Sequence, residues 1–199
     1  LARLAERERF PALADVVIAG HSAGGQFTHR YAILGRGDAA LTAKGIHVRY
    51  VIANPSSYAY FDRSRPSGDG FARYDGNANG CLRYNRWRYG MEDLPHYAQG
   101  GAKEDFEAGY VARDVWYLLG TADVDPLHAQ LDHNCGAEAE GPQRLARGQA
   151  YTRYMQARHP DLKHLVWLIP KVGHEADRMF LSPCGMAALF DRPGCPPPQ

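Results

Sequence analysis

Ser22, Asp123 and His174 are residue types that together can make a serine hydroxyl nucleophilic, and each of them follows a short apolar run of the chain. A serine hydroxyl is a weak nucleophile at neutral pH unless a histidine takes its proton, and an acid must orient the histidine ring. Such a triad attacks carbonyl carbons and passes through a covalent acyl-enzyme. The three residues therefore predict acyl-transfer chemistry, provided that the fold brings them together.

Ser22 is the centre of a Gly-X-Ser-X-Gly sequence at residues 20–24. The apolar run Val16–Ala19 precedes this sequence, and a helical pattern over Gly25–Leu34 follows it. Small neighbours allow the sharp strand-to-helix turn that exposes a nucleophile. The alternative is a glycine-rich turn with an idle serine, but the flanking strand and helix favour a nucleophile. The backbone N–H of Ala23 is then expected to be one donor of an oxyanion hole.

The candidate acid and base follow two later apolar runs. Asp123 comes shortly after Val115–Leu119, and His174 comes shortly after Leu165–Ile169. Loops at the carboxyl ends of parallel strands meet at one edge of a sheet, so side chains far apart in the sequence can meet there. Asp125 lies two residues beyond Asp123 and is a second candidate for the acid.

The elements that must position these residues are indicated by four apolar runs of strand length: Val16–Ala19, Val48–Ala53, Val115–Leu119 and Leu165–Ile169. Near-continuous apolar runs are typical of parallel strands with helices on both faces. Helical patterns lie over Gly25–Leu34, over about 142–158 and near 175–190. This alternation predicts a doubly wound, mostly parallel α/β sheet, with one catalytic domain over residues 1–199.

Residues 55–113 are different in kind, because they are rich in Gly, Tyr and Arg and have weak periodicity. We expect an irregular, cap-like insertion over the site, in which Tyr58 and Trp87 are candidate pocket residues. A structural role for its aromatic residues, in which rings pack and hydroxyls form hydrogen bonds, is the main alternative. Aromatic and arginine residues that alternate also occur in sites for single-stranded nucleic acid.

The composition argues against nucleic acid as a partner. The chain has 199 residues, with 23 Lys and Arg against 22 Asp and Glu, so its formal net charge is +1. No net positive field would attract a polyanion. The longest apolar runs fall well short of the roughly 18 residues that a membrane span needs, so none is expected.

Four cysteines, Cys81, Cys135, Cys184 and Cys195, lie in predicted loops without a Cys-X-X-Cys spacing. This pattern favours disulfides over a zinc site. Of the three possible pairings we favour Cys184–Cys195, which closes a short loop with Gly and Pro, together with Cys81–Cys135. Disulfides would indicate a secreted or periplasmic protein, although four free cytosolic thiols have the same sequence signature.

With the three motifs in the order Ser, Asp, His, the chain resembles the α/β-hydrolase superfamily over nearly its whole length. Residues 54–58 and 81–90 also look like those of little-characterised bacterial and fungal secreted hydrolases, which implies no particular substrate. The resemblance implies Asp123 as the acid, because family members usually place it three residues after the glycine that ends the strand. It further implies a serine ester hydrolase of the carboxylesterase or lipase type that needs no metal or cofactor. The substrate would be a small-molecule or lipid-like ester.

Three alternatives stay open at this point. The same triad can cleave amides or transfer acyl groups, and a chain of this fold can also be an inactive binding protein. The oligomeric state is open as well.

The main departure from the superfamily is at the N-terminus. Few residues precede the first predicted strand, so the N-terminal half of the usual sheet and the loop with the second oxyanion donor are not in this sequence. The charged start resembles an internal segment, and we expect residues 1–199 alone to be poorly soluble and nearly inactive.

The remaining histidines carry less weight. His21 precedes the serine and is expected at the floor of the pocket. His29, His96, His128, His133, His159 and His164 are expected mostly as solvated or hydrogen-bonded surface residues.

Overall fold

The computed structural model describes residues 1–198. Its strands, in chain order, are β1 (Asp15–His21), β2 (His47–Ala53), β3 (Ser64–Ser67), β4 (Gly70–Arg73), β5 (Asp114–Gly120) and β6 (Leu165–Ile169). Its helices are α1 (Ala23–Leu34), α2 (Ala39–Thr42), α3 (Lys103–Val111), α4 (Cys135–Glu138), α5 (Arg144–Arg158), α6 (Ala176–Phe180) and α7 (Pro183–Phe190). Short 3-10 turns occupy Ala2–Ala5 and His96–Ala98.

The central sheet has four parallel strands in the order β1-β2-β5-β6. These strands contain the four apolar runs of the sequence, and three of them extend one or two residues beyond the runs. The prediction of a mostly parallel α/β sheet is confirmed. Because all four strands run in the same direction, their carboxyl ends lie at a single edge of the sheet.

Helices cover both faces of the sheet, as continuous apolar strands require. One face packs β2 and β5 residues such as Tyr50 and Tyr117 against α1, α3 and α5. The other face packs alternate residues, among them Val51 and Leu118, against α6 and α7. Successive side chains of a strand point to opposite faces, so each strand contributes to both cores.

The segment 55–113 is more ordered than its composition indicates. It contains the antiparallel hairpin of β3 and β4, and it ends in α3, which packs on α1 and leads into β5. The sequence pattern missed α3 because only Phe106 and Tyr110 of its nine residues are buried. The aromatic residues just after β2 belong to the main core: Tyr58, Tyr60 and Phe61.

The C-terminal helical pattern is divided between α6 and α7, where a single helix was expected. Pro183 opens α7, since proline lacks the N–H and is tolerated only in the first turn. The Ser182 hydroxyl caps this helix by accepting from the Gly185 N–H at 3.0 Å.

The structure contains both favoured disulfides, Cys81–Cys135 and Cys184–Cys195. The first joins the segment 55–113 to α4, across 54 residues of sequence. The second ties the start of α7 to the C-terminal residues, across 11 residues of sequence. No cysteine in the described part of the chain is free.

Two histidines differ from the surface placement expected of them. His29 is fully buried, and His164 is 9% exposed. The His29 ring accepts from the Ala59 N–H at 3.0 Å and donates to the Tyr110 hydroxyl at 3.2 Å. Burial lowers the pKa of His29 well below its usual value and that of His164 to about 4, so both are neutral at pH 7.

Candidate active site

Ser22 lies in the sharp turn between β1 and α1, with a backbone conformation of φ 57° and ψ −119°. A non-glycine residue at positive φ is strained and persists only where its surroundings hold it. The Ser22 N–H donates to the carbonyl of Ala53 on β2 at 3.0 Å. A Cβ at Gly20 would overlap the carbonyl of Gly24, and a Cβ at Gly25 would lie 2.6 Å from the carbonyl of Ala53. The turn is therefore held by close backbone packing.

The three candidate triad residues form a continuous hydrogen-bonded chain. The Ser22 hydroxyl lies 2.8 Å from Nε2 of His174, and Nδ1 of His174 lies 2.8 Å from Oδ2 of Asp123. The carboxylate can only accept, so the network assigns the ring hydrogen to Nδ1 and leaves Nε2 free to accept from the serine. The side chains of His174 and Asp123 are 8% and 3% exposed.

Asp125, the second candidate for the acid, points elsewhere. It is exposed, and its carboxylate accepts from the Leu127 N–H at 2.8 Å, which closes a local turn. The geometry thus brings Asp123, and not Asp125, to the histidine.

Asn54, directly after β2, joins the loops that carry the acid and the histidine. Its side chain accepts from the Gly120 N–H at 2.8 Å and donates to the Gly173 carbonyl at 2.8 Å. The backbone of Asn54 has φ 41°, a conformation that asparagine tolerates better than most residues. Asn54 therefore holds the two loops together. The sequence marked it only by its place after a strand and by the resemblance over residues 54–58, neither of which indicated this role.

Arg144, the first residue of α5, is the second partner of Asp123. Its guanidinium donates to Asp123 at 3.3 Å and to the Ser56 hydroxyl at 3.1 Å, and its side chain has no exposed surface. Burial alone would raise the pKa of Asp123, but the hydrogen bond from His174 and the charge of Arg144 outweigh it and the pKa is lowered. The acid is therefore ionised at neutral pH.

Two further histidine rings contact His174. The ring centroids of His21 and His174 are 4.6 Å apart. The ring of His128 meets that of His174 edge-on, with centroids 5.0 Å apart. Burial and the nearby His174 lower the pKa of His21 to about 4, so it stays neutral at pH 7. The position of His128 was not indicated by the sequence.

Ala23 occupies the first turn of α1, where backbone N–H groups have no partner within the helix. The positive end of the helix dipole adds to the attraction of an anion at this point. The residue is exposed, so a substrate oxygen can reach it.

The two other candidate pocket residues, Tyr58 and Trp87, lie in different parts of the structure. Tyr58 has no exposed surface and stacks on Tyr151 with ring centroids 4.7 Å apart, so the structure places it in the core and not at the site. Trp87 lines a cavity of about 790 Å³ that runs along α1 from Ala23 and continues past the end of the helix to Gly37.

Residues 1–198 contain neither a candidate metal site nor a candidate membrane span. This part of the chain has no cluster of three or more His, Cys, Asp or Glu that is arranged to hold a metal ion. None of its helices is long and apolar enough to cross a membrane.

Comparison with known proteins finds no matching family model and no match among curated proteins. Two solved structures resemble this fold. One is poly(aspartic acid) hydrolase-1 from Sphingomonas sp. KT-1, with 25% identity and a TM-score of 0.57 over 87% of this chain and 55% of that protein. The other is LpqC, a poly(3-hydroxybutyrate) depolymerase from Bordetella parapertussis, with 24% identity and a TM-score of 0.60 over 91% of this chain and 51% of that protein.

The fold is therefore of the α/β-hydrolase type, and the chain spans about half the length of these two solved structures.

Proposed function

We propose that this chain is a serine hydrolase that cleaves carboxylic esters through an acyl-enzyme on Ser22. The observation that carries the proposal is the continuous chain from the Ser22 hydroxyl through His174 to Asp123, with both contacts at 2.8 Å. Two solved structures that share the fold are hydrolases by name, which supports a hydrolytic activity.

In this mechanism Ser22 attacks the ester carbonyl while Nε2 of His174 takes the hydroxyl proton. The negative oxygen of the tetrahedral intermediate lies at the N-terminal turn of α1, where the Ala23 N–H donates to it. His174 then gives the proton to the leaving alcohol. A water molecule, deprotonated by the same histidine, attacks the acyl-enzyme; the bond to Ser22 breaks, the acid is released, and His174 returns the proton to the Ser22 hydroxyl. Asp123 holds the ring and stabilises its protonated form, and no step uses a metal or cofactor.

The two solved hydrolases act on polymers by name, so a polymeric ester or a soluble fragment of one is a candidate substrate class. Poly(aspartic acid) is linked by amides, which keeps amide cleavage as the second candidate reaction. Two disulfides fit an oxidising compartment, and we propose a secreted or periplasmic protein.

The proposal is tested on the full-length protein, since residues 1–199 alone are expected to be nearly inactive. The assay is hydrolysis of nitrophenyl esters of increasing acyl length, with matching anilides as the amide arm. We expect turnover of the esters and a loss of about a millionfold in kcat for Ser22→Ala. Turnover that survives in Ser22→Ala would contradict the acyl-enzyme, and faster cleavage of the anilides would assign the chain to amide hydrolysis.

A further inference from the structure

The cavity along α1 carries a charge pattern that the proposed reaction does not explain. Its walls contain three arginines and no Asp or Glu side chain, although the whole chain is nearly neutral. The arginines are Arg30, Arg36 and Arg88. Aromatic side chains line both sides of the cavity: Phe27 and Tyr31 on the helix, and Trp87 and Tyr97 on the segment 55–113.

One face of α1 connects this cavity to the nucleophile. Ala23, Phe27, Arg30 and Tyr31 stand at helical spacings of four, seven and eight residues, so they share a face of the helix. At 1.5 Å per residue, Arg30 lies about 12 Å along the helix axis from Ser22. Phe27 is 67% exposed, so the cavity is open to solvent.

Arg30 is half-buried and forms no ion pair in residues 1–198. Its guanidinium donates to neutral acceptors: the side chain of Gln26 at 3.1 Å, the hydroxyl of Ser57 at 2.9 Å and the carbonyl of Arg88 at 3.1 Å. Burial lowers its pKa to about 10, so it remains charged at neutral pH. The nearest acids do not pair with it: burial raises the pKa of Glu140 to about 8, so this acid is largely neutral at pH 7, and Asp132 pairs with Arg88. A partly buried charge without a direct partner can gain from an anionic ligand.

Arg36 follows the end of α1 by two residues. It is exposed and has no ion-pair partner in residues 1–198. Arg88 pairs only at 3.4 Å with Asp132. The cavity therefore offers apolar walls for a chain and positive charge for an anion.

We propose that this cavity binds the acyl or alcohol chain of the substrate in extended form, and that Arg30 recognises a carboxylate which that chain carries. The inference rests on the proposed function, because the ester carbonyl must lie at Ser22 and Ala23. The substrate class is then an ester with a free carboxylate about 12 Å along α1 from the bond that is cleaved.

The experiment compares paired substrates that differ only in charge. One series has nitrophenyl monoesters of straight-chain dicarboxylic acids, paired with the same esters in which the distant carboxylate is an amide. A second series places the carboxylate or amide on the alcohol side of acetate esters. We expect kcat/KM to favour the carboxylate member by about tenfold to hundredfold in one series, with the maximum at a chain that spans the distance to Arg30.

Variants assign the preference to the cavity. Arg30→Gln is expected to bring the ratio of the two kcat/KM values close to one, and Arg30→Lys is expected to keep part of the preference. Arg83→Gln is the matched control, since Arg83 is exposed and lies outside the cavity, and it should leave the ratio as in the unchanged protein.

The outcomes separate this inference from the proposed function. If esters are hydrolysed but the charged and neutral members react equally in both series, the inference is wrong while the hydrolase assignment stands. Equal rates together with a dimer that Phe27→Asp separates would assign the cavity to a second copy of this chain. If a fluorophosphonate leaves Ser22 unmodified and no ester is hydrolysed, both the hydrolase assignment and the carboxylate inference are wrong.

Discussion

At the scale of single residues, the site depends on a few buried polar contacts that fix one carboxylate. Asp123 accepts from His174 and from Arg144, and both contacts are shielded from water. The sequence indicated the candidate nucleophile, base and acid because each follows a predicted strand and has a residue type suited to its role. Arg144 lies in a helix, and Asn54 follows a strand but has no reactive group. The sequence did not indicate their contacts, because these are made with residues distant along the chain.

The choice of acid is tested by two conservative changes. Asp123→Asn is expected to lower kcat/KM by about ten-thousandfold, because an amide favours the wrong tautomer of the histidine. Asp125→Asn is the matched control and should leave activity near that of the unchanged protein, since Asp125 only closes a local turn. A larger loss in Asp125→Asn would reverse the assignment.

Arg144 is expected to matter for stability as well as for the acid. Arg144→Met leaves a buried carboxylate with one partner fewer, and such a change typically costs about 3–5 kcal/mol in the free energy of unfolding. Arg86→Gln breaks an exposed pair with Asp93 and should cost about 1 kcal/mol or less. Urea unfolding measures both. A similar loss of unfolding free energy in the two variants would show that the buried Arg144–Asp123 pair stabilises the fold no more than the exposed pair does.

At the scale of elements, the turn between β1 and α1 is held by glycines that approach other backbone atoms. The Gly-X-Ser-X-Gly pattern indicates Gly20 and Gly24, but in the structure the close approaches are at Gly20 and Gly25. A sequence pattern shows which residue types occur at which spacing, and it does not show which Cβ would meet the neighbouring strand.

This difference can be measured by two alanine substitutions. Gly25→Ala should lower the melting temperature, since its Cβ would lie 2.6 Å from the Ala53 carbonyl. Gly24→Ala should leave it unchanged or raise it, because nothing lies within 4 Å and alanine favours helix by up to about 1 kcal/mol. A larger loss for Gly24→Ala would show that the pattern, and not the packing, identifies the critical glycine.

The strands were predictable from sequence because they are buried on both faces and therefore continuously apolar. Helix α5 was predicted near its observed bounds, yet its buried face includes Arg144 and Arg147, which a search for apolar periodicity does not detect. Helix α3 was missed because only Phe106 and Tyr110 of its residues are buried. A helix whose buried face contains arginines, or only two aromatic residues, shows little apolar periodicity in its sequence.

At the scale of the whole molecule, the segment 55–113 shares the main core and is bound to α4 by a disulfide. Cross-links stabilise chiefly by restricting the unfolded chain, so the longer loop should contribute more. Replacing Cys81 and Cys135 by Ala should cost about 4 kcal/mol, against about 3 kcal/mol for Cys184 and Cys195. Denaturant unfolding of the two double variants gives the order, and the reverse order would contradict the loop argument.

Two histidines with lowered pKa values predict how the free energy of unfolding depends on pH. His21 and His164 have a folded pKa of about 4, against about 6.5 in the unfolded chain, so the unfolded state binds more protons between these values. The free energy of unfolding should therefore fall as the pH drops below about 6.5.

His164→Gln should reduce the slope of this decline by about 1.4 kcal/mol per pH unit, which corresponds to one proton. His96→Gln, at an exposed position, is the control and should leave the slope unchanged. Urea unfolding at a series of pH values measures the slopes. Equal slopes in both variants would mean that protonation of His164 is not coupled to unfolding.

The central claim is that Ser22 is an activated nucleophile, and the most direct measurement is peptide mapping after treatment with a fluorophosphonate. We expect one adduct, on the peptide that contains Ser22, and strongly reduced labelling in His174→Ala because the serine then has no base. Labelling at another residue, or labelling that survives unchanged in Ser22→Ala, would contradict the account.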